Sequence, residues 1–264
     1  MPALITHHLF GEESIDRLPQ GVITSDEERI AFILGNQGPD PFFFHMLTPR
    51  VSDCTLLAQV MHRSRMSRQF SCLRDGVSHL QPRDANLGRA FALGLLSHYV
   101  LDRNAHPFVY EQQFGIVDSD PELEASGSQV HAVLESDLDV LMLQLKRDGA
   151  TVEDYPPAGE IVTTDRINRV AGVLMSYVAG RVYGIGRHGR YHPSARPCGL
   201  RFSPSSPITS LIASTSLFSS LSWSIFISIV TPSCSTHTPS VRFVNPAGAK
   251  FLACSSSGVC LHVG

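Results

Sequence analysis

Residues 86 to 106 read NLGRAFALGLLSHYVLDRNAH, and the class of fold turns on this stretch. Its apolar residues cover most of a helical circumference, and a helix hydrophobic on all sides belongs at the centre of a bundle. His98, Asp102 and His106 interrupt it at intervals of four. Residues so spaced share a helix face, with Cβ atoms about 5–6 Å apart, so His98 and Asp102 can turn toward one ion. One connection later His131 and Glu135 repeat the interval. Any one of these histidines alone would read as a satisfied core residue. Taken together they are costly polar groups in apolar surroundings, and imidazole with carboxylate suits zinc, Asp102 being able to bridge two ions through its two oxygens. Pro107 supplies no amide and disfavours α geometry at His106, so the helix is expected to end or kink there and to turn that imidazole toward a different ion.

Working outward, DEERIAFILG closes on Gly35 as a short helix with an acidic start. The loop GNQGPDP follows. Residues 54 to 80 carry apolar side chains near helical period and predict one amphipathic helix with His62 near its middle. SQVHAVLESDLDVLMLQLKR, residues 128 to 147, predicts the next helix, with Asp137 and Asp139 solvating its face. DRINRVAGVLMSYVAGRVYG, from Asp165, predicts the last. The fold class expected is therefore an all-α multi-helix bundle around buried metal, spanning residues 1 to 185.

Composition divides the chain in two. Hydrophobic residues make up 43% and charged residues 17%, which suits a chain that buries a core. Residues 1 to 165 hold 12 of the 21 basic residues and all 24 acids, a net of −12, whereas the remainder carries +9. From residue 186 to 264 there are 18 serines and no acid, and residues 202 to 241 are uncharged. A reading-frame change near residue 186 is the first explanation of this tail, which is expected to lack regular structure. The alternatives are a Ser-rich extension and a membrane anchor at residues 208 to 230, a run long enough to span a bilayer but rich in Ser and Thr. The six cysteines form no C-x-x-C pair and suggest neither a zinc ribbon nor a disulfide framework. MPALITHHLFGEES lacks the basic and long apolar regions of a secretory leader, so a cytoplasmic protein is expected.

Five segments in order resemble the zinc-dependent phospholipase C family, which shares its fold with the S1/P1-type nucleases: THHLFG, GNQGPD, QVMHRSRM, LSHYVLDRNAHPFV and VHAVLE. The likeness covers about residues 4 to 185 and is strongest over the fourth segment. The residues alone do not separate His7 from His8; the resemblance selects His7. It implies one ion held by Asp40, His62, His98 and Asp102, and a second held by His106, His131 and Glu135. A third would share Asp102 with His7, but the processed N-terminal Trp that completes this site in secreted relatives has no counterpart here, so two zinc ions are expected. The resemblance also implies an enzyme, a phosphodiester hydrolase in which Asp40 orients or deprotonates the attacking water while zinc neutralises phosphoryl charge and lowers that water's pKa toward about 7. Phospholipid is the expected substrate class, with contact to a membrane. Residues 1 to 165 offer no basic, aromatic-interleaved groove, which disfavours single-stranded nucleic acid and the nuclease alternative. The reading from another class is a metal-stabilised helical protein without turnover.

Overall fold

The computed structural model describes residues 4 to 44, 51 to 155, 162 to 185, 242 to 244 and 250 to 252. The alternative membrane anchor at residues 208 to 230 and most of the tail lie outside them. Among the described residues there are seven α-helices: α1 (Leu4–Arg17), α2 (Asp26–Asn36), α3 (Val51–Arg63), α4 (Met66–Ser78), α5 (Pro82–Ser119), α6 (Gly127–Lys146) and α7 (Asp165–Val178). Short 3-10 segments at Asp40–Phe44 and Pro121–Ser126 follow α2 and α5, and α7 widens into a π turn at Ala179–Tyr183. The all-α expectation holds for the bundle. In the tail, Arg242–Val244 pairs antiparallel with Lys250–Leu252.

Local chemistry sets the helix ends. Ser25 caps α2 by accepting from the Glu28 amide at 3.2 Å, while the Glu28 carboxylate accepts from the Thr24 amide at 2.8 Å. Thr164 caps α7 through the Ile167 amide. Pro82 opens α5, where its missing N–H costs nothing.

Helix α5 is the axis of the bundle. Phe91 and Leu95 pack with Phe32 of α2, Leu57 and Met61 of α3, Leu73 of α4 and Leu174 of α7 in the main core. The α2–α5 crossing is unusually close because Gly35 and Gly94 occupy it. A Cβ on Gly35 would overlap the Phe91 carbonyl oxygen, and one on Gly94 would overlap that of Phe32. This contact brings the end of α2 against His98. A smaller apolar cluster of Leu4, Ile5, Leu9 and Leu143 seats α1 on α6.

Two expectations fail here. The single helix over residues 54 to 80 is two helices, broken where Arg65 takes a left-handed conformation (φ 59°) and its guanidinium donates to the Val182 carbonyl, so His62 sits in a last turn rather than mid-helix. Pro107 does not end α5, which continues through it to Ser119. Only the one hydrogen bond to the carbonyl four residues earlier is lost, and packing on both sides of the proline, including fully buried Val109, keeps the helix going.

Candidate metal centre

The stripe on α5 fans rather than staying on one line. At 100° per residue an interval of four advances 400°, so each step turns about 40° around the axis. His98 faces α2 and α3, while His106, two steps on, faces Glu135 of α6, its Nε2 3.6 Å from Glu135 Oε1. Asp102 lies between. Its Oδ2 is 3.2 Å from His98 Nε2 and 3.8 Å from His62 Nε2, and its Oδ1 is 3.3 Å from His7 Nε2 and 4.0 Å from His106 Nε2. Four imidazoles thus surround one carboxylate that is only 5% exposed.

Backbone carbonyls fix how the rings are turned. His62 Nδ1 lies 2.7 Å from the Ala58 carbonyl oxygen and His98 Nδ1 lies 3.2 Å from that of Asn36. A carbonyl can only accept, so each Nδ1 carries a proton and, in the neutral ring, each Nε2 presents a lone pair. Those two Nε2 atoms are 3.4 Å apart, with Asp40 Oδ1 2.9 Å from His62. Acceptors therefore converge on acceptors, an arrangement that needs cations between them. His7, fully buried on α1, stacks on the His98 ring with centroids 4.1 Å apart. Neither of its ring nitrogens hydrogen-bonds to another protein group. On the other side of Asp102, His131 Nε2 is 2.8 Å from Glu135 Oε1, and its Nδ1 donates to Gln113 Oε1 at 2.7 Å.

Three sets of donors lie with their atoms mutually within 4.8 Å: His7, Asp40 and His98; His62, His98 and Asp102; His106, His131 and Glu135. All eight positions singled out in the sequence meet in this centre. His8 is outside it, 3.7 Å from Glu12 and edge-on to Tyr155.

The electrostatics fit proton or metal occupancy. Burial opposes ionisation of Asp40 and Asp102, but the adjoining imidazoles outweigh it and hold both carboxyls below the usual range. Burial also disfavours the His98 imidazolium, yet Asp40 and Asp102 raise its pKa above the ordinary value. His7 is lowered by burial, and burial brings His106 and His131 down to about 4. The carboxylates thus favour a proton on His98, whereas burial keeps His106 and His131 neutral.

Four supporting residues escape a reading based on ligand type. Asn36 supplies the carbonyl for His98, and its side-chain amide donates to the His7 carbonyl, tying α1 to α2. Gly38, at φ 59°, leaves room for the His98 ring where a Cβ would collide with it. Gln113 orients His131. Asp139, expected to solvate α6, is instead buried and accepts from the Ile5 and Thr6 amides at 2.8 Å each, holding the start of α1 and with it His7. Only the G-x-x-G-P-D turn gave a sequence signal for any of them, through Gly38.

A helical bundle whose central helix gathers histidines and carboxylates from four other segments defines a clustered-metal protein. The zinc dependent phospholipase C family model matches residues 6–183, and the chain belongs to that family. The match stops just short of the change in composition after residue 185. No match was found among curated proteins or among solved structures. No helix of the described residues is long and apolar enough to cross a membrane.

Proposed function

We propose that the chain is a zinc-dependent phosphodiester hydrolase of phospholipase C type, with residues 1 to 185 as its catalytic domain and 186 to 264 as an appended tail. The observation that carries this reading is the convergence of the His62 and His98 Nε2 lone pairs on carboxylate oxygens, since such a set is stable only around positive charge. Asp40, His62, His98 and Asp102 would hold one ion, His106, His131 and Glu135 a second, and His7 with Asp102 can offer a third position that also faces Asp40 and His98. Zinc, when bound, neutralises non-bridging phosphoryl oxygens and brings the pKa of a coordinated water to about 7.

The chain's own residues do the rest. Asp40 is ionised at neutral pH, because its imidazole neighbours keep its carboxyl low, so it can orient the attacking water and accept its proton but cannot serve as an acid. Asp40 lies 2.9 Å from His62 Nε2, whereas Asp102 is enclosed by four imidazoles; the base role therefore suits Asp40 and the bridging role Asp102. His131, held by Gln113, and His62, held by Ala58, enter with their tautomers already set, which reduces reorganisation during turnover.

Purified full-length protein tests this. Elemental analysis should find about two zinc ions per chain, and hydrolysis of a chromogenic phosphodiester should stop on chelation and return on zinc addition. Zinc bound without chelator-sensitive turnover of phospholipid, nucleotide or model diesters would leave the metal-stabilised structural reading in its place. Fewer than one ion per chain would defeat both.

A further inference from the structure

Two helix ends meet just past His62, and each serves a carbonyl of the other. Helix α3 ends at Arg63 and the π turn after α7 ends at Tyr183, so the Ser64 and Val182 carbonyls fall where a helix runs out of its own amides. The Tyr183 hydroxyl donates to the Ser64 carbonyl oxygen at 2.9 Å, and the Arg65 guanidinium donates to the Val182 carbonyl oxygen. Gln69, only 2% exposed, has its side-chain amide 2.9 Å from the same hydroxyl, and its N–H donates to the Arg65 carbonyl at 2.9 Å. Burial pushes the Tyr183 hydroxyl up to about 12, so it stays a donor through the neutral range. The turn itself is firmly seated. Gly184 is left-handed (φ 72°), the Ile185 amide donates to the Ala179 carbonyl at 2.9 Å, and Ala179, Val182 and Ile185 are buried in the main core.

His62 is one residue inside the end of α3, where helices fray, yet its Nε2 lies 2.9 Å from Asp40 and 3.4 Å from His98 Nε2. The bond from its Nδ1 to the Ala58 carbonyl stays within α3. It orients the ring on its own helix but cannot fix that helix against Asp40 and His98. Leu57 and Met61 anchor α3 in the core, and the corner after it turns on Arg65, whose left-handed backbone (φ 59°) is costly for a residue with a Cβ and persists where partners over-determine it. We infer that Tyr183 and Arg65 are positioning residues for His62: their clasp on the α3–α4 corner keeps the His62 Nε2 in reach of Asp40, His98 and Asp102, so the turn that ends α7 sets the zinc affinity of the His98 side. The zinc part of this inference rests on the metal centre of the proposed hydrolase; the clasp itself needs neither zinc nor turnover.

Tyr183→Phe removes one hydroxyl and keeps the ring. Tyr177→Phe is the matched control, since Tyr177 lies on the same helix and its hydroxyl donates to Asp75 of α4, away from the corner. With full-length protein competing for zinc against a chromophoric chelator, Tyr183→Phe should weaken the step on the His98 side about fivefold, as one lost hydrogen bond does, and leave the His106 side within about twofold. Tyr177→Phe should lose similar stability in a denaturant titration yet leave both steps within about twofold. Arg65→Gly, which keeps the left-handed turn and drops the guanidinium, should weaken the His98-side step about as much as Tyr183→Phe. In a His62→Ala background Tyr183→Phe should add nothing, as expected of a residue that acts through His62. Equal weakening in Tyr177→Phe, or a full Tyr183→Phe effect without His62, overturns the inference in favour of a merely structural role. In zinc-free protein the His62 ring N–H bonded to Ala58 should exchange with water at least about threefold faster in Tyr183→Phe and at an unchanged rate in Tyr177→Phe, because that bond opens when the last turn of α3 frays. Equal exchange in all three proteins overturns the inference whether or not the chain binds zinc. Selective loss of the His98-side step in a protein that hydrolyses no diester would support the clasp and remove the hydrolase reading; hydrolysis with that step untouched by Tyr183→Phe would do the reverse.

Discussion

Gln113 gives the sharpest test of the second cluster, because its side chain hydrogen-bonds His131. Its Oε1 accepts from His131 Nδ1 at 2.7 Å, and that bond turns the Nε2 lone pair toward Glu135. Gln113→Leu keeps most of the side-chain volume and removes the acceptor. The ring would then be free to flip or to change tautomer, and the lost orienting bond costs about 1.4 kcal/mol, or about tenfold in affinity. The low end of the usual tenfold to hundredfold range applies, since His131 is only partly buried and water can replace part of the bond. Gln113→Glu offers a stronger acceptor and should restore or tighten binding. Competition of zinc-free protein against a chromophoric chelator would resolve the binding steps. One step should weaken about tenfold in Gln113→Leu while the step assigned to the His98 side stays within about twofold. Unchanged binding in Gln113→Leu, or equal weakening of every step, would refute the division of the centre at Asp102.

Other perturbations separate the remaining parts. As pH falls, the His98 side should release zinc first, because the raised His98 pKa lets protons win there while His106 and His131, at about 4, still bind as neutral rings; zinc per chain measured against pH should fall in two stages. Asp102→Asn should lose metal and activity together, whereas Asp40→Asn should lose about a hundredfold or more in turnover with a smaller loss of zinc, if Asp40 is the base, as kinetics alongside elemental analysis would reveal. Gly38→Ala should destabilise the fold by about 1–3 kcal/mol in a denaturant titration and weaken zinc binding, since it strains a left-handed residue and drives a methyl into His98. Asp139 has a folded pKa of about 6, raised by burial against the bonds from α1. Its native carboxyl thus binds its proton more tightly than the unfolded one, and that contribution to stability is present at low pH and is lost as pH rises from about 4 to 6. The difference between unfolding free energies of the unaltered chain and Asp139→Asn should drift by about 3 kcal/mol across that window, and a flat difference would contradict it.

What the sequence made legible was chemistry carried by residue type and interval. His98, Asp102, His106, His131 and Glu135 announce themselves as polar residues at helical spacing in apolar helices, and His7, Asp40 and His62 follow from the resemblance and its order along the chain. The supporting groups were hidden for a physical reason. Asn36 and Ala58 act through backbone carbonyls, which every residue has, and Gln113 and Asp139 act on partners 18 and 133 or 134 positions away. The break at Arg65 was hidden because apolar period persists on both sides of it; what stops the helix is a long-range bond to Val182. Asp139 misled by its neighbourhood, since Asp137 two residues away is exposed as an acid on that helix should be.

Pro107 is the instructive error. A kink at Pro107 is one way to send His98 and His106 to different ions. An unbroken helix does it without one. Four residues overshoot one turn by about 40°, so His98, Asp102, His106, Tyr110 and Phe114 rotate steadily from α2, past the bridge position, to α6 and then to solvent. Had Pro107 broken the helix, Val109 would leave its fully buried position and Gln113 would lose its register with His131, and the second cluster would come apart rather than form. The proline's cost is the single bond it cannot make, on a side of the helix that is exposed at Arg103 and Pro107 and where water can reach the freed carbonyl. The same overshoot that turns one helix toward two candidate donor clusters also carries Tyr110 and Phe114 out toward solvent, so a single helical register accounts for both.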